Sequence, residues 1–317
     1  MKIVTVCGKN TLRAPWVVPS IRSWQTIEGC DDLHVIDDDT EVASADFQAH
    51  GIDVGCVYSG RESERVIRDA LIGYPALCTL RAKDLSWRKI LDPAIRFPGE
   101  RLLLLDTDVF VARPVAMPAA ERSMCFMMEG IPAYRAAPWL PFRHPMVFSF
   151  NAGMVWYDTA MIDLDFLEWI AARYFLQVRT FWWTEQAAWA LLAARQEQRY
   201  YFSGELVRVF SANSKRTPHQ VRENKTVYFG DSTPLKSFDA MRAHLSGAAV
   251  IHFSGNGKEC FTAYHHGIYP FELDAGGDMT PIRLPVIPAR TTSGMEKLVI
   301  SIRLLRQELP PFILASK

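Results

Sequence analysis

The sequence predicts an α/β protein with a central, mostly parallel sheet flanked by helices, and three observations predict it. Short apolar runs alternate with helix-spaced segments from residue 2 to residue 111, the order that builds parallel strands with crossover helices. Residues 101–111 read RLLLLDTDVFV; an unbroken leucine run of this length marks a strand buried on both faces of a sheet. Hydrophobic residues make up 49% of the 317-residue chain and charged residues 22%, enough to fill a large core in one or two domains.

The elements follow in order. Residues 2–7, KIVTVC, form a first strand that stops at Gly8-Lys9-Asn10. Residues 19–26 have helical character, and 33–36 form a second strand running into Asp37-Asp38-Asp39. Residues 54–58 make a third strand. Residues 61–72 carry Val66, Ile67, Ala70 and Leu71 at helical spacing, stopped by Gly73-Tyr74-Pro75. A helix over 84–95 ends at Phe97-Pro98-Gly99 and delivers the chain into the leucine strand. Further strands are expected at 124–128, 154–157 and 250–253, with helices at 164–175 and 185–195. Residues 130–144, rich in proline and aromatics, form a structured loop or a lid. The chain is extended from 276 until a last helix at 295–309. There is no internal repeat.

Composition excludes several classes. Basic and acidic residues balance at 35 each, which argues against non-specific nucleic-acid binding. No apolar stretch approaches the ~18 residues that span a bilayer, the first strand is too short for a signal peptide, and the final helix carries too little net charge to favour lying on a membrane. The six cysteines are scattered without a CxxC pair; this fits a reducing compartment rather than a disulfide frame. The expectation is a cytoplasmic globular protein.

Chemistry concentrates where the leucine strand ends. Asp106 and Asp108 fall at its C-terminal tip, where ligands bind in open α/β sheets. Residues two apart on an extended segment point the same way, and two converged carboxylates need a cation or a shared proton. The bland reading is that charge appears there because the chain has reached water. Strand-Asp-x-Asp also suits a phosphatase nucleophile loop, but Gly230–Pro234 lacks the second downstream acid.

Three other segments carry matching chemistry. Phe148–Val155, FSFNAGMV, offers Asn151 as donor and acceptor beside small residues that admit close backbone approach, or it is simply a bulge entering a strand. In Trp182-Trp183-Thr184-Glu185-Gln186, Thr184 suits a helix N-cap and Glu185 the first turn; either capping explains them or both acid and amide face a site. Residues 251–258, IHFSGNGK, place an imidazole, a normal manganese or zinc ligand, and a lysine suited to diphosphate around a glycine loop. Trp139, Trp182, Trp183, Tyr264 and His265 are candidates for stacking on a sugar acceptor.

These four pieces, in this order, resemble the retaining glycosyltransferases of family 8, the glycogenin and bacterial lipooligosaccharide galactosyltransferase group. The pattern is an apolar strand into Asp-x-Asp, a Phe-Asn-Ala-Gly strand, an acid-Gln helix start and a late His-x-x-Gly-x-x-Lys. It is matched by Asp106/Asp108, Phe150–Gly153, Glu185-Gln186 and His252/Gly255/Lys258. The resemblance implies the GT-A fold, a Rossmann-like nucleotide-diphospho-sugar transferase sandwich, over 1–260; it leaves 261–317 as a C-terminal extension, whose final helix is read from its own pattern as packing on the domain or pairing two copies. It implies that Asp106, Asp108 and His252 hold Mn²⁺ (or Mg²⁺) against the diphosphate of a UDP-sugar. Asp106, Asn151, Ala152, Lys258, Gly255, Arg88, Cys7 and Lys9 would contact that donor, while Glu185 and Gln186 would lie at the reacting sugar. The acceptor would be a carbohydrate or another hydroxyl. The sequence departs from the pattern at Glu185, where Asp is usual, at Glu259-Cys260 after the lysine, and at Gly8–Thr11, which lacks the usual acidic and tyrosine residues near the base. The alternatives are a metal-dependent phosphatase or nucleotidyltransferase, or a non-catalytic relative that binds nucleotide sugar.

Overall fold

The computed structural model describes residues 1–30, 32–38, 40–119, 122–129, 140–178, 183–210, 245–255, 257–258, 261, 280–294, 297–298 and 302, with the backbone of 227–228 and 234–235. Strands β1 (Lys2–Val6), β2 (Asp32–Ile36) and β3 (Cys56–Tyr58) alternate with helices α1 (Lys9–Leu12), α2 (Val17–Ser23) and α3 (Ser44–Gln48). Helices α4 (Gly60–Ala70), α5 (Pro75–Lys83) and α6 (Arg88–Arg96) lead into β4 (Arg101–Leu105), β5 (Val109–Val111) and β6 (Val115–Ala116). There follow β7 (Met124–Met128), α7 (Leu140–Arg143), β8 (Phe150–Asp158), α8 (Leu164–Arg173) and α9 (Thr184–Ala194). Strands β9 (Arg199–Phe202), β10 (Val207–Val209), β11 (Val227–Tyr228), β12 (Pro234–Leu235), β13 (Val250–His252), β14 (Ile282–Arg283) and β15 (Val286–Pro288) complete the described elements.

The central sheet has eight strands in the order β15-β9-β7-β8-β4-β1-β2-β3. The pairs β1–β2, β2–β3, β1–β4 and β7–β9 are parallel. The pairs β4–β8, β7–β8 and β9–β15 are antiparallel. The mixed α/β architecture expected from the sequence is therefore present, with the parallel half coinciding with the strand–helix alternation. Residues 282–288, from the segment read as an extension, add β14 beside β6 and β15 at the sheet edge. The rest of that segment, its helix included, lies mainly outside the described residues.

The leucine run explains why the sheet is filled on both sides. Leu102 and Leu104 join a core with Ile67, Leu77, Ile90, Leu91 and Trp189 on one face. Leu103 and Leu105 join Ile21, Trp24, Phe47 and Val250 on the other. Side chains alternate along a strand, so an all-leucine strand feeds two apolar layers at once.

Helix α5 was not foreseen, because Gly73-Tyr74-Pro75 reads as a stop. Pro75 instead occupies the first turn of the new helix, where its missing N–H costs nothing. The Glu168 carboxylate of α8 accepts the next two donors, Ala76 N and Leu77 N, both at 3.0 Å. Helix 84–95 is a 3-10 turn at Leu85–Trp87 followed by α6. Among the described residues, Cys7, Cys56, Cys78 and Cys125 carry free thiols. Among the described residues, no helix is long and apolar enough to cross a membrane.

Candidate functional site

Strand β4 ends at Leu105, and Asp106 opens a turn rather than extending the strand. Asp106 N donates to Gly153 O at 2.8 Å, and Val109 N closes the turn onto Asp106 O at 2.9 Å. The two carboxylates thus converge by a tight turn, not by the strand alternation expected of an extended Asp-x-Asp. Directly after it, β5 pairs antiparallel with β13, and His252 lies opposite Val109. Phe253 N donates to Asp108 O at 2.9 Å. A small three-stranded sheet, β10-β13-β5, is therefore what carries the late histidine to the early aspartates.

Asp106, Asp108 and His252 can each turn one ligand atom toward a common point, with these atoms all within 4.8 Å of one another. His252 Nε2 is 3.2 Å from Asp108 Oδ1 and 3.9 Å from Asp106 Oδ2. Lys258 Nζ is 3.0 Å from the second Asp108 oxygen. Asp108 and His252 are only 3% and 4% exposed. Burial disfavours both charges, yet the attraction of His252 and Lys258 holds the Asp108 carboxyl well below the usual carboxylate range. Asp108 in turn pushes His252 up against the effect of burial.

Helix α6 supplies a second cation. Lys89 Nζ sits 3.0 and 3.2 Å from the two Asp106 oxygens and 3.5 Å from Glu185 Oε1. Burial opposes its charge, but Asp106 and Glu185 more than offset this and raise its pKa. Glu185, in the first turn of α9 and 4% exposed, is pushed up to about 7. Burial is the main cause, Lys89 works against it, and Asp106 and Asp84 add to it. Trp87 Nε1 donates to Thr184 Oγ1 at 2.9 Å, which ties the start of α9 to the 3-10 turn before α6.

Strand β8 brings the Phe-Asn-Ala-Gly segment alongside. Its register with β7 shifts between Phe126, opposite Val155, and Met127, opposite Asn151. A bulge of this kind re-aims side chains, and here it leaves Gly153 beneath the histidine ring. Asn151 Oδ1 is 2.8 Å from His252 Nδ1, and Asn151 Nδ2 donates to Glu129 Oε2 at 2.7 Å. Gln186 Nε2 donates to the Phe150 carbonyl and, at 3.4 Å, to Glu129 Oε2.

Of the residues singled out from the sequence, Asp106, Asp108, Asn151, Glu185, Gln186, His252 and Lys258 belong to this one connected cluster. Gly255 adopts a positive φ of 54° in the loop between the histidine and the lysine. Ala152 is packed in the apolar core. Arg88 Nη1 donates to Asp37 O at 2.6 Å and lies 3.4 Å from Glu64 Oε1. Cys7 is buried at the end of β1, where burial, with Asp38 and Asp37, pushes its thiol up to about 12. Lys9 is exposed, with its ammonium 3.6 Å from Asp46 Oδ1. Trp183 is half-buried. Trp139, Trp182, Tyr264, His265, most of the 130–144 lid and residues 230–233 lie outside the described residues.

Two members were missed. Lys89 neighbours the basic residue chosen, and sequence alone does not set which side of a helix faces a crevice. Glu129 follows an apolar strand, MCFMM, just as Asp106 does, and that rule would have found it.

The donor set suits a divalent metal, because two carboxylates and an imidazole nitrogen form a mixed oxygen–nitrogen shell. No protein-family model matches the sequence, and no curated protein matches it. Among solved structures, mouse xyloside xylosyltransferase 1 in its apo form aligns at 12% identity over 81% of this chain and 99% of its own, with a TM-score of 0.47. Galactosyltransferase LgtC with donor and acceptor sugar analogues aligns at 15% identity over 83% and 94%, with a TM-score of 0.45. The bifunctional glycosyltransferase WbbM aligns at 10% identity over 80% of this chain and 46% of its own, with a TM-score of 0.41.

Proposed function

We propose that the chain is a metal-dependent glycosyltransferase that moves a sugar from a nucleotide-diphosphate sugar, a UDP-sugar, to a hydroxyl acceptor such as a carbohydrate. The observation that carries this reading is the meeting of Asp106, Asp108 and His252, with ligand atoms within 4.8 Å of one another and Lys258 Nζ 3.0 Å from Asp108. Two acids, an imidazole and a lysine at the C-terminal end of a sheet strand suit a diphosphate held through a cation.

Breaking a sugar–phosphate bond leaves negative charge on the departing diphosphate. Bound at Asp106, Asp108 and His252, Mn²⁺ or Mg²⁺ would supply Lewis-acid stabilisation of that charge. Lys258 would add a positive charge on the same side, already aligned before the reaction by its contact with Asp108. Lys89 holds Asp106 and keeps the ionised carboxylates from repelling one another. Glu185 and Gln186 border the space beside Asp106 and Glu129, and in this reading they orient the donor sugar. Gln186 is too poor a nucleophile to form a covalent intermediate, so retention would come from acceptor attack on the face the diphosphate leaves. Trapping a covalent glycosyl-enzyme would reject that step.

The test is incubation of the purified protein with a panel of nucleotide sugars and Mn²⁺. The reading expects slow release of nucleoside diphosphate and free sugar, stopped by EDTA and lowered about 100-fold or more in Asp108→Ala. Turnover of simple phosphate esters instead would favour a phosphatase. Binding of UDP without any donor cleavage would mark a non-catalytic binder.

A further inference from the structure

The His252 ring is held from behind as well as in front. Asn151 Oδ1, 2.8 Å from His252 Nδ1, also accepts the Gly153 N–H at 2.9 Å. The other end of that carboxamide donates to Glu129 Oε2 at 2.7 Å. A backbone N–H only donates, and the Glu129 oxygen accepts from the amide nitrogen, so both neighbours give the carboxamide the same orientation. Its oxygen faces the imidazole. Nδ1 must therefore carry a hydrogen, and in the neutral ring the lone pair belongs to Nε2. That nitrogen is the one 3.2 Å from Asp108 and 3.9 Å from Asp106.

We propose that Glu129 is a positioning residue for the metal centre: acting through Asn151, it fixes the tautomer and plane of His252 so that the Nε2 lone pair faces the two aspartates. Glu129 and Asn151 are 6% and 3% exposed, so neither is free to turn to solvent for a substitute partner. Glu129 is itself anchored, with its backbone N–H on Ser149 O at 3.0 Å and Gln186 Nε2 3.4 Å from the same carboxylate oxygen. Asn151, which the sequence alone casts as a contact to the donor sugar, has both ends of its amide engaged within this relay. Groups that orient a ligating histidine typically change metal affinity about 10- to 100-fold when removed. The inference rests on the reading of Asp106, Asp108 and His252 as metal ligands.

Two measurements test it. In wild-type protein labelled with ¹⁵N-histidine and loaded with Zn²⁺, the His252 ring, assigned by its loss in His252→Asn, should carry its proton on Nδ1. A proton on Nε2 with Nδ1 as the metal-bound nitrogen overturns the proposal. Mn²⁺ titration of Glu129→Gln and Glu129→Leu then separates acceptor from charge. Glutamine keeps an oxygen for Asn151 and should bind Mn²⁺ within about threefold of wild type, whereas leucine should bind about 10- to 100-fold more weakly. Equal weakening of both variants, or of neither, overturns the proposal. If Glu129→Leu does not fold, the wild-type spectrum and Glu129→Gln still decide. Failure of wild type to bind Mn²⁺ at all would instead remove the metal reading itself.

Discussion

Gly153 provides the space that His252 fills. A Cβ built on Gly153 would lie 2.2 Å from Nδ1 of the imidazole and 2.5 Å from its Cε1, closer than any side chain tolerates. Gly153→Ala should therefore push the ring off Asn151 and out of line with Asp108. Overpacking of this kind costs about 1–3 kcal/mol, and the expected loss of Mn²⁺ affinity is at least about tenfold. Thermal melting and Mn²⁺ titration read the two effects separately.

Lys89 compensates two acids from one place, with Nζ 3.0 Å from Asp106 and 3.5 Å from Glu185. Lys89→Met removes that charge and leaves a buried pair half-broken, a loss of about 3–5 kcal/mol in the metal-free protein. A divalent cation on Asp106 would replace part of the missing charge. Saturating Mn²⁺ should accordingly raise the melting temperature of Lys89→Met more than that of wild type, as differential scanning calorimetry can measure.

Glu185 gives the fold a pH signature. Its carboxyl is raised from 4.5 to about 7 by burial first, with Lys89 partly opposing and Asp106 adding. The raised value means that the ionised form is the disfavoured one in the folded state. No cost applies below the unfolded pKa; it grows as pH rises between about 4.5 and 7, and is constant above. Glu185→Gln should thus stabilise the metal-free protein by about 3 kcal/mol at pH 8, at roughly 1.4 kcal/mol per tenfold change in ionisation constant. The gain should shrink toward zero below about pH 4.5, where the Glu185 carboxyl is protonated in the folded and unfolded states alike. Urea unfolding of both proteins across that range checks the sign and the size.

Much of this was legible in the chain itself, and the reasons are specific. Four leucines in a row cannot serve a half-exposed strand, and in the fold they alternate between two apolar layers. Charge and imidazole each appear where an apolar strand stops, which marks Asp106, Asp108 and His252 singly, but it was the resemblance in motif order that joined the aspartates to a histidine 144 positions after Asp108. The turn that joins the aspartates was not readable, because Asp106-Thr107-Asp108 has no glycine or proline to announce it. The facing of α6 was not readable either. Its preceding 3-10 turn, Leu85–Trp87, alters the helical phase, and packing then turns Arg88 toward Asp37 and Lys89 toward Asp106. Pro75 misled because the residue that ends one helix can also open the next.

The most direct test of the central claim is anomalous diffraction at the manganese edge from crystals of the wild-type protein grown with MnCl₂ and UDP. The account expects a single strong peak within bonding distance of Asp106, Asp108 and His252 Nε2, with the diphosphate on its open side near Lys258. A manganese peak away from these three side chains, or UDP bound with no manganese among them, would contradict it.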